Sequence, residues 1–279
     1  MLPAEDARPE AVHRAMRYAA TGPGKRLRPV LTLAVAELFG ETADAVVDLA
    51  IAVEMVHASS LVLDDLPAMD DAELRRGRAT VHRAFGEDVA LLAAFALLNE
   101  AFALVAGAAQ SLAPRRYTPQ DMVHHLAAAI GTRGLVGGQA LDLAAGDAAL
   151  DLERLEYIHS HKTGALFLAA AELGAMAADA RRRDLEAVSA YAKNLGLAFQ
   201  IEDDLVDALA TREEAGKDVR QDETKTTFVK LLGVEGARTL ADELLAAAIA
   251  ALEPLGARAE ALAALAQVVR RLAPGETGR

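Results

Sequence analysis

The chain has 279 residues, a formal net charge of −12, no cysteine and only 4% aromatic residues. The negative charge argues against nucleic acid as a partner, because a phosphate backbone is bound by basic surfaces. The lack of cysteine excludes disulfides, thiol catalysis and cysteine-ligated zinc, and we expect a cytoplasmic protein. The longest apolar stretches contain polar residues, so the sequence predicts no transmembrane segment.

The composition favours an all-α protein. Alanine and leucine dominate, β-branched runs are scarce, and no linker divides the chain, so we predict a single domain over residues 1–279 and no strand. Gly22, Gly40 and Pro67 mark helix boundaries, and residues 67–80 are predicted to form a charged loop. In chain order, helices are predicted over residues 10–20, 29–39, 42–66, 87–107, 119–133, 134–145, 151–175, 181–209, 224–232 and 236–271.

Two aspartate clusters are the most informative feature of the sequence. Each has three aspartates with two basic residues close behind: Asp64, Asp65, Asp70, Arg75 and Arg76 in the first, and Asp203, Asp204, Asp207, Lys217 and Lys225 in the second. Carboxylates bind hard divalent cations, these cations bind phosphate oxygens, and Lys and Arg neutralise the remaining charge. One acidic run alone is as well explained by a solvated surface, but two runs with flanking bases favour a metal–diphosphate site containing Mg²⁺ or Mn²⁺.

Further candidates lie outside these clusters. The run Gly24-Lys25-Arg26-Leu27-Arg28-Pro29 places cations at a predicted helix start, where free N–H groups attract anions, although a solvated basic turn explains it equally well in isolation. His57 and Ser60 precede Asp64 by two turns and one turn of the same helix. The segments at Gly138-Gln139 and Lys162-Thr163-Gly164 interrupt helical patterns, either to expose polar groups or to allow close helix packing.

Together these segments resemble the trans-isoprenyl diphosphate synthases, within the polyprenyl synthetase family, and most closely the bacterial geranylgeranyl diphosphate synthases. The resemblance covers nearly the whole chain, including Gly138-Gln139-Ala140-Leu141-Asp142, Phe199-Gln200 and Lys225-Thr226-Thr227. It implies an all-α helical bundle around a deep central cavity, usually in a homodimer. Relative to that family, we expect most of a first helix and a basic C-terminal tail to be missing.

The resemblance also implies a role for each matching residue. Asp64, Asp65, Asp70 and Asp203 resemble ligands of three Mg²⁺ ions, which Mn²⁺ can replace, and Asp204 and Asp207 resemble residues that act through metal-bound water. Cations on the allylic diphosphate are implied at Arg75, Lys162, Lys217 and Lys225. The isopentenyl diphosphate cradle is implied at Lys25, Arg28, His57 and Arg76. Thr163 and Gln200 correspond to residues that, with Lys162, assist catalysis by stabilising an allylic cation.

The implied reaction joins isopentenyl diphosphate to dimethylallyl, geranyl or farnesyl diphosphate. The allylic C–O bond ionises, the homoallylic double bond attacks the cation, and a proton is lost, without any protein nucleophile. Ser59 and Ser60 occupy chain-length positions that are commonly aromatic in relatives stopping at fifteen carbons. Because both are small here, we predict a C20 product, with Phe95 or Phe102 as candidate floor residues, and expect phenylalanine at either serine to shorten it.

Other readings stay open at this point. A farnesyl diphosphate (C15) synthase would need a floor residue that the sequence does not reveal. A terpene cyclase shares the first cluster, but its second motif normally contains Asn, Ser and Glu, and it needs no second diphosphate cradle. A non-catalytic partner subunit would be expected to have lost some aspartates, yet all six are present.

Overall fold

A computed structural model describes residues 2–146, 148–209 and 225–273. Within these ranges the chain is mainly helical, which confirms the all-α prediction. The helices are α1 (Glu10–Ala20), α2 (Leu27–Leu38), α3 (Ala43–Asp64), α4 (Val81–Phe85), α5 (Glu87–Leu112), α6 (Pro119–Ile130), α7 (Leu135–Ala145), α8 (Leu152–His159), α9 (Ala165–Ala177), α10 (Arg182–Leu209), α11 (Phe228–Ala251) and α12 (Glu260–Arg270). A 3₁₀ segment, Glu253–Ala259, lies between α11 and α12.

The core of the bundle forms where α2, α3, α5, α9 and α10 pack together. Its interior is rich in alanine and leucine, with fully buried Leu31, Leu49, Leu97 and Phe167 among the larger side chains. Small alanine side chains let the helix backbones approach closely, which is consistent with the low aromatic content. A second, smaller cluster joins α8 and α10 to α11 around Phe228.

Three sequence predictions were wrong in detail. The predicted loop 67–80 contains a two-residue hairpin, β1 (Leu74–Arg75) and β2 (Arg78–Ala79), although no strand was expected. The break predicted after residue 232 is only a kink at Gly233 inside α11. The helix predicted over residues 236–271 is divided by the 3₁₀ segment between α11 and α12. By contrast, the irregularity expected at Lys162-Thr163-Gly164, within the helix predicted over residues 151–175, is present as a π-helical turn, Ser160–Gly164.

Two helices are apolar enough to cross a membrane when only length and composition are considered: α3, with a window of mean hydropathy 1.8, and α5, with 2.1. The expectation that no stretch meets this criterion was therefore wrong. In α3, however, 56% of that window is buried inside the fold, as in a core helix of a globular protein, against 33% in α5. The apolar side chains that α5 leaves exposed include Leu91, Leu92 and Phe95.

Candidate active site

A cavity of about 780 Å³ opens between the start of α2, the C-terminal half of α3, the π-helical turn and α10. It is lined by most of the residues that the sequence singles out: Lys25, Arg28, His57, Ser60, Asp64, Arg75, Arg76, Lys162, Thr163, Gln200, Asp203 and Asp207. The two aspartate clusters therefore face the same cavity, through Asp64 on α3 and Asp203 on α10. One side of the cavity is basic and the other is mainly acidic.

Arg28 lies on the basic side, at the start of α2. Its side chain is buried, and the guanidinium stacks 4.4 Å from the ring centroid of Phe167. Burial lowers the pKa of Arg28 to about 10, although the nearby carboxylates of Glu54 and Asp203 act in the opposite direction. Arg28 therefore stays charged at neutral pH, and its Nε has no hydrogen-bond partner among the described residues.

His57 lies on α3 beside this guanidinium. Burial first, and then the positive charges of Arg28 and Arg76, hold the pKa of His57 well below its usual value. The imidazole is neutral at pH 7, so it can donate one N–H to an anion without adding charge.

Arg76 reaches the basic side from the hairpin. Arg76 and Gly77 form the two-residue connection between β1 and β2, and both have positive φ angles, 53° and 73°. This is the backbone of a type I′ turn, which an Arg-Gly pair can adopt because glycine tolerates the left-handed region. The guanidinium donates to the carbonyl of Pro23 at 2.5 Å and passes over Gly24, where a Cβ would lie 2.5 Å from its Nη1.

Glu54 is a cavity residue to which sequence reasoning assigned no role. It forms an ion pair with Arg26, whose positive φ of 50° marks the start of α2. The spacing of Glu54 three residues before His57 places both on one face of α3 and was the available signal. Glu54 supplies the negative charge that partly compensates the crowded cations of this side.

On the acidic side, three aspartates form ion pairs. The shortest N–O distances are 2.8 Å between Lys25 and Asp203, 2.8 Å between Lys225 and Asp70, and 2.7 Å between Arg75 and Asp65. Two of these pairs join segments that are far apart in sequence: Lys25, just before α2, pairs with α10, and Lys225, just before α11, pairs with the loop after α3. Asp70 also folds back onto α3, because its backbone N–H donates to the carbonyl of Asp64 at 2.9 Å.

Asp64 makes no ion pair with any residue in the described ranges, although it lines the cavity. Burial raises the pKa of Asp64, and Lys162 and Arg75 only partly oppose this effect. Within the described ranges, no three His, Cys, Asp or Glu side chains gather closely enough to hold a metal ion. The donor chemistry of Asp64 and Asp203, with carboxylate oxygens only, nevertheless fits Mg²⁺ when diphosphate oxygens complete the ligand set.

Lys162 projects into the cavity from the π-helical turn. Its Nζ lies 2.6 Å from a carboxylate oxygen of Asp142 on α7, a second residue whose role the sequence did not reveal. Burial alone would raise the pKa of Asp142, but the charge and hydrogen bond of Lys162 outweigh it and lower the pKa. The close approach depends on Gly138, where a Cβ would lie 2.2 Å from the backbone nitrogen of Lys162.

Next to Lys162, a chain of hydrogen bonds runs from the cavity to the start of α11. The Thr163 hydroxyl donates to Gln200 Oε1 at 3.0 Å, and Gln200 Nε2 donates to Asp204 Oδ1 at 3.0 Å. The backbone N–H of Phe228 donates to the other oxygen of Asp204 at 3.0 Å. Burial raises the pKa of Asp204 to about 6, against the lowering effect of these two hydrogen bonds.

The two serines differ in what they contact. Ser60 lines the cavity, with its hydroxyl bonded to the His57 carbonyl at 2.9 Å. Ser59 is buried against α5 and donates to the Ala94 carbonyl at 2.8 Å. Phe95 is 73% exposed and so is not a floor within this subunit. Lys217 lies outside the described residues.

The fold and this site define a protein of the polyprenyl synthetase class. A family model described as Polyprenyl synthetase matches residues 9–251, and the chain belongs to that family.

The curated relatives include a chloroplastic geranylgeranyl pyrophosphate synthase from Capsicum annuum, which is 44% identical over 239 residues and is aligned over 85% of this chain and 64% of the relative. The chain thus spans just under two thirds of that relative's length. A dimethylallyltranstransferase from Fischerella ambigua is 41% identical over 264 residues, 94% of this chain and 76% of the relative.

Solved structures agree with the assignment. A FPP/GFPP synthase from Zymomonas mobilis superposes with a TM-score of 0.85 at 38% identity, covering 96% of this chain and 91% of that one. A geranyltransferase from Helicobacter pylori, complexed with magnesium and isoprenyl diphosphate, gives a TM-score of 0.83 at 31% identity over 97% of this chain and 90% of that one.

Proposed function

We propose that the protein is a trans-prenyltransferase that condenses isopentenyl diphosphate with an allylic diphosphate and releases mainly geranylgeranyl diphosphate (C20). The observation that carries this proposal is the division of one cavity into two chemically different halves. A basic cradle of Arg28, His57 and Arg76 faces a half in which carboxylates of both aspartate clusters lie near Lys162. A single-substrate enzyme would need only one of these halves.

The acidic half would bind the allylic diphosphate together with Mg²⁺. Asp64, Asp65, Asp70 and Asp203 would hold the ions, and bound Mg²⁺ supplies Lewis-acid stabilisation of the departing diphosphate. Three ions, and replacement by Mn²⁺, are what the family resemblance implies. The ion pair with Asp70 keeps Lys225, an expected cation on the allylic diphosphate, beside the first aspartate cluster, whereas Lys25, expected in the isopentenyl diphosphate cradle, is paired with Asp203.

The basic half would hold the second substrate with protein side chains and without metal ions. Arg28 and Arg76 supply fixed positive charge, and neutral His57 supplies an N–H donor. On the other side, Lys162 opposes the charge that develops on the leaving diphosphate, and Thr163 and Gln200 present oxygen atoms near the developing allylic cation. The cavity wall below Asp64, where Ser60 and Leu61 lie, would receive the growing chain.

The C20 product is supported by the small side chains at Ser59 and Ser60 and by the relatives named geranylgeranyl pyrophosphate synthases. Farnesyl diphosphate (C15) is the second candidate, because the Zymomonas mobilis structure is described as a FPP/GFPP synthase. A terpene cyclase is disfavoured by the basic half of the cavity.

We also propose a homodimer. The exposed side chains of Leu91, Leu92 and Phe95 form an apolar surface on α5, and surfaces of this kind commonly mark protein interfaces. A heterodimeric large subunit occurs among the relatives, so a second type of subunit is the alternative. A cytoplasmic location stays a prediction, which fractionation of the source cells would test.

Incubation with isopentenyl diphosphate, Mg²⁺ and each allylic starter in turn tests the activity, with product chain length determined by mass spectrometry. We expect a C20 diphosphate and no product when Mg²⁺ is chelated. A hydrocarbon formed without isopentenyl diphosphate would instead identify a cyclase. Starters returned unchanged by folded protein would indicate a non-catalytic subunit.

A further inference from the structure

Asp204 differs from its neighbours in the second aspartate cluster. Asp203 and Asp207 line the cavity, whereas Asp204 does not. Both of its carboxylate oxygens already accept hydrogen bonds, one from Gln200 Nε2 and the other from the Phe228 backbone N–H, each at 3.0 Å. The geometry therefore leaves neither carboxylate oxygen of Asp204 free for the metal-bound water through which the family resemblance has this residue act.

The chemistry of these partners fixes the direction of the hydrogen-bond chain. An ionised carboxylate can only accept, so the Gln200 amide must turn its NH₂ group towards Asp204. The amide oxygen of Gln200 then faces Thr163, and the Thr163 hydroxyl must donate its proton to that oxygen. The lone pairs of the Thr163 oxygen are left free to face the cavity.

We propose that Asp204 is a positioning residue that orients Gln200 and Thr163 so that both present oxygen, not hydrogen, to the developing allylic cation. This inference rests on the proposed prenyltransferase function and deepens it. A carbocation is stabilised by electron-rich oxygen and is opposed by an N–H or O–H dipole pointing at it. The carboxylate acts through two intermediate side chains and does not itself touch the reacting atoms.

The second partner of Asp204, the backbone N–H of Phe228, connects the same carboxylate to the start of α11. Phe228 is the first residue of α11 and is fully buried, so its N–H is one of the helix-start donors that need an acceptor. Three residues earlier, Lys225 forms its ion pair with Asp70. Anchoring the start of α11 thus also places Lys225 against the first aspartate cluster.

Asp204→Asn is the decisive variant because it keeps the size of the side chain but changes its polarity. The Phe228 N–H can only donate, so the Asn oxygen must face it and the Asn NH₂ must face Gln200. The Gln200 amide then turns over, its NH₂ faces Thr163, and the Thr163 hydroxyl proton is released towards the cavity. We expect kcat to fall by roughly 10- to 100-fold, with KM for isopentenyl diphosphate unchanged.

A double-mutant cycle tests whether the effect passes through Thr163. Thr163→Val removes the hydroxyl, so adding Asp204→Asn to it should lower kcat by no more than about threefold further. Asp207→Asn is the matched control, because Asp207 lines the cavity directly. The fold reductions in kcat caused by Asp207→Asn and by Thr163→Val should therefore multiply in the double variant. Multiplicative effects of Asp204→Asn and Thr163→Val would overturn the proposal.

Two readouts do not depend on turnover. Mg²⁺-dependent binding of inorganic pyrophosphate, measured by calorimetry, should survive in Asp204→Asn and be lost in Asp203→Asn. Equal loss in both variants would make Asp204 a metal-site residue and refute the inference.

The second readout is hydrogen exchange at the Phe228 amide, which should accelerate at least tenfold in Asp204→Ala but not in Asp204→Asn. Unchanged protection in Asp204→Ala would refute the anchoring role. If wild-type protein elongates no starter, the proposed function fails, while these two readouts still decide the placement of Asp204.

Discussion

Substitution of Ser60 by phenylalanine should shorten the product from C20 to C15. Ser60 lies one helical turn before Asp64, about 6 Å along α3, on the face that lines the cavity. The serine hydroxyl donates to the His57 carbonyl of its own helix. A phenyl ring at this position would therefore extend into the space that receives the growing chain.

The size of the effect follows from the apolar contact that the last isoprene unit would lose. Burial of a CH₂-sized group contributes about 0.8 kcal/mol, so excluding a five-carbon unit costs roughly 4 kcal/mol. This corresponds to a factor of about 10³ in the rate of the final elongation relative to the earlier ones. The free energy of unfolding should change by less than about 1 kcal/mol, because the ring fills an existing cavity.

The assay compares product distributions of wild type, Ser60→Phe and the control Ser60→Ala with geranyl diphosphate as the starter. We expect C15 from Ser60→Phe and C20 from the other two. Ser59→Phe is a less direct probe, because Ser59 bonds to the Ala94 carbonyl and a ring there would also press on α5. Undiminished C20 output from folded Ser60→Phe would refute this account of the cavity.

Three other outcomes are expected. The low pKa of half-buried His159, about 4 against about 6.5 when unfolded, means that its contribution to stability is present above pH 6.5 and falls by roughly 3 kcal/mol as the pH drops towards 4. Urea titrations across this range should show a flatter profile for His159→Gln, and equal slopes would contradict the assignment. Gly24→Ala should displace the guanidinium of Arg76, because the added Cβ would lie 2.5 Å from it, and should raise KM for isopentenyl diphosphate about tenfold. Gly22→Ala should leave this KM unchanged, because a Cβ there would have its nearest neighbours at 3.4 Å. Phe95→Asp should yield monomers in light scattering, and an unchanged dimer would place the interface elsewhere.

Most helices could be predicted because their signals are local. Pro67 predicted the end of α3 to within three residues, and α10 was predicted to within one residue at its start. The errors arose where tertiary contacts override local preference. At the π-helical turn Ser160–Gly164 the sequence indicated an irregularity, but its kind depends on packing against Gly138 of α7, which no local signal reveals.

The candidate site was predictable in its residue types but not in its pairings. The family resemblance implied that Asp64 and Asp203 share one metal site, and the fold places both residues in the lining of one cavity. Nothing local reveals that Asp142 pairs with Lys162, or that Asp204 accepts from Phe228 across 24 residues of sequence. Asp203 and Asp204 are adjacent in one motif, and the sequence alone does not distinguish their roles. Successive residues of α10 point about 100° apart around the helix axis, so the two carboxylates meet different partners.

The central claim, that one cavity holds two different diphosphate sites, can be measured directly by calorimetry. Isopentenyl diphosphate is titrated into the protein with and without Mg²⁺, and an uncleavable allylic thiolodiphosphate is titrated under the same two conditions. The account predicts that isopentenyl diphosphate binds without Mg²⁺ and loses affinity in Arg28→Met, whereas the allylic analogue requires Mg²⁺. Competition of both ligands for one site, with the same dependence on Mg²⁺, would contradict it.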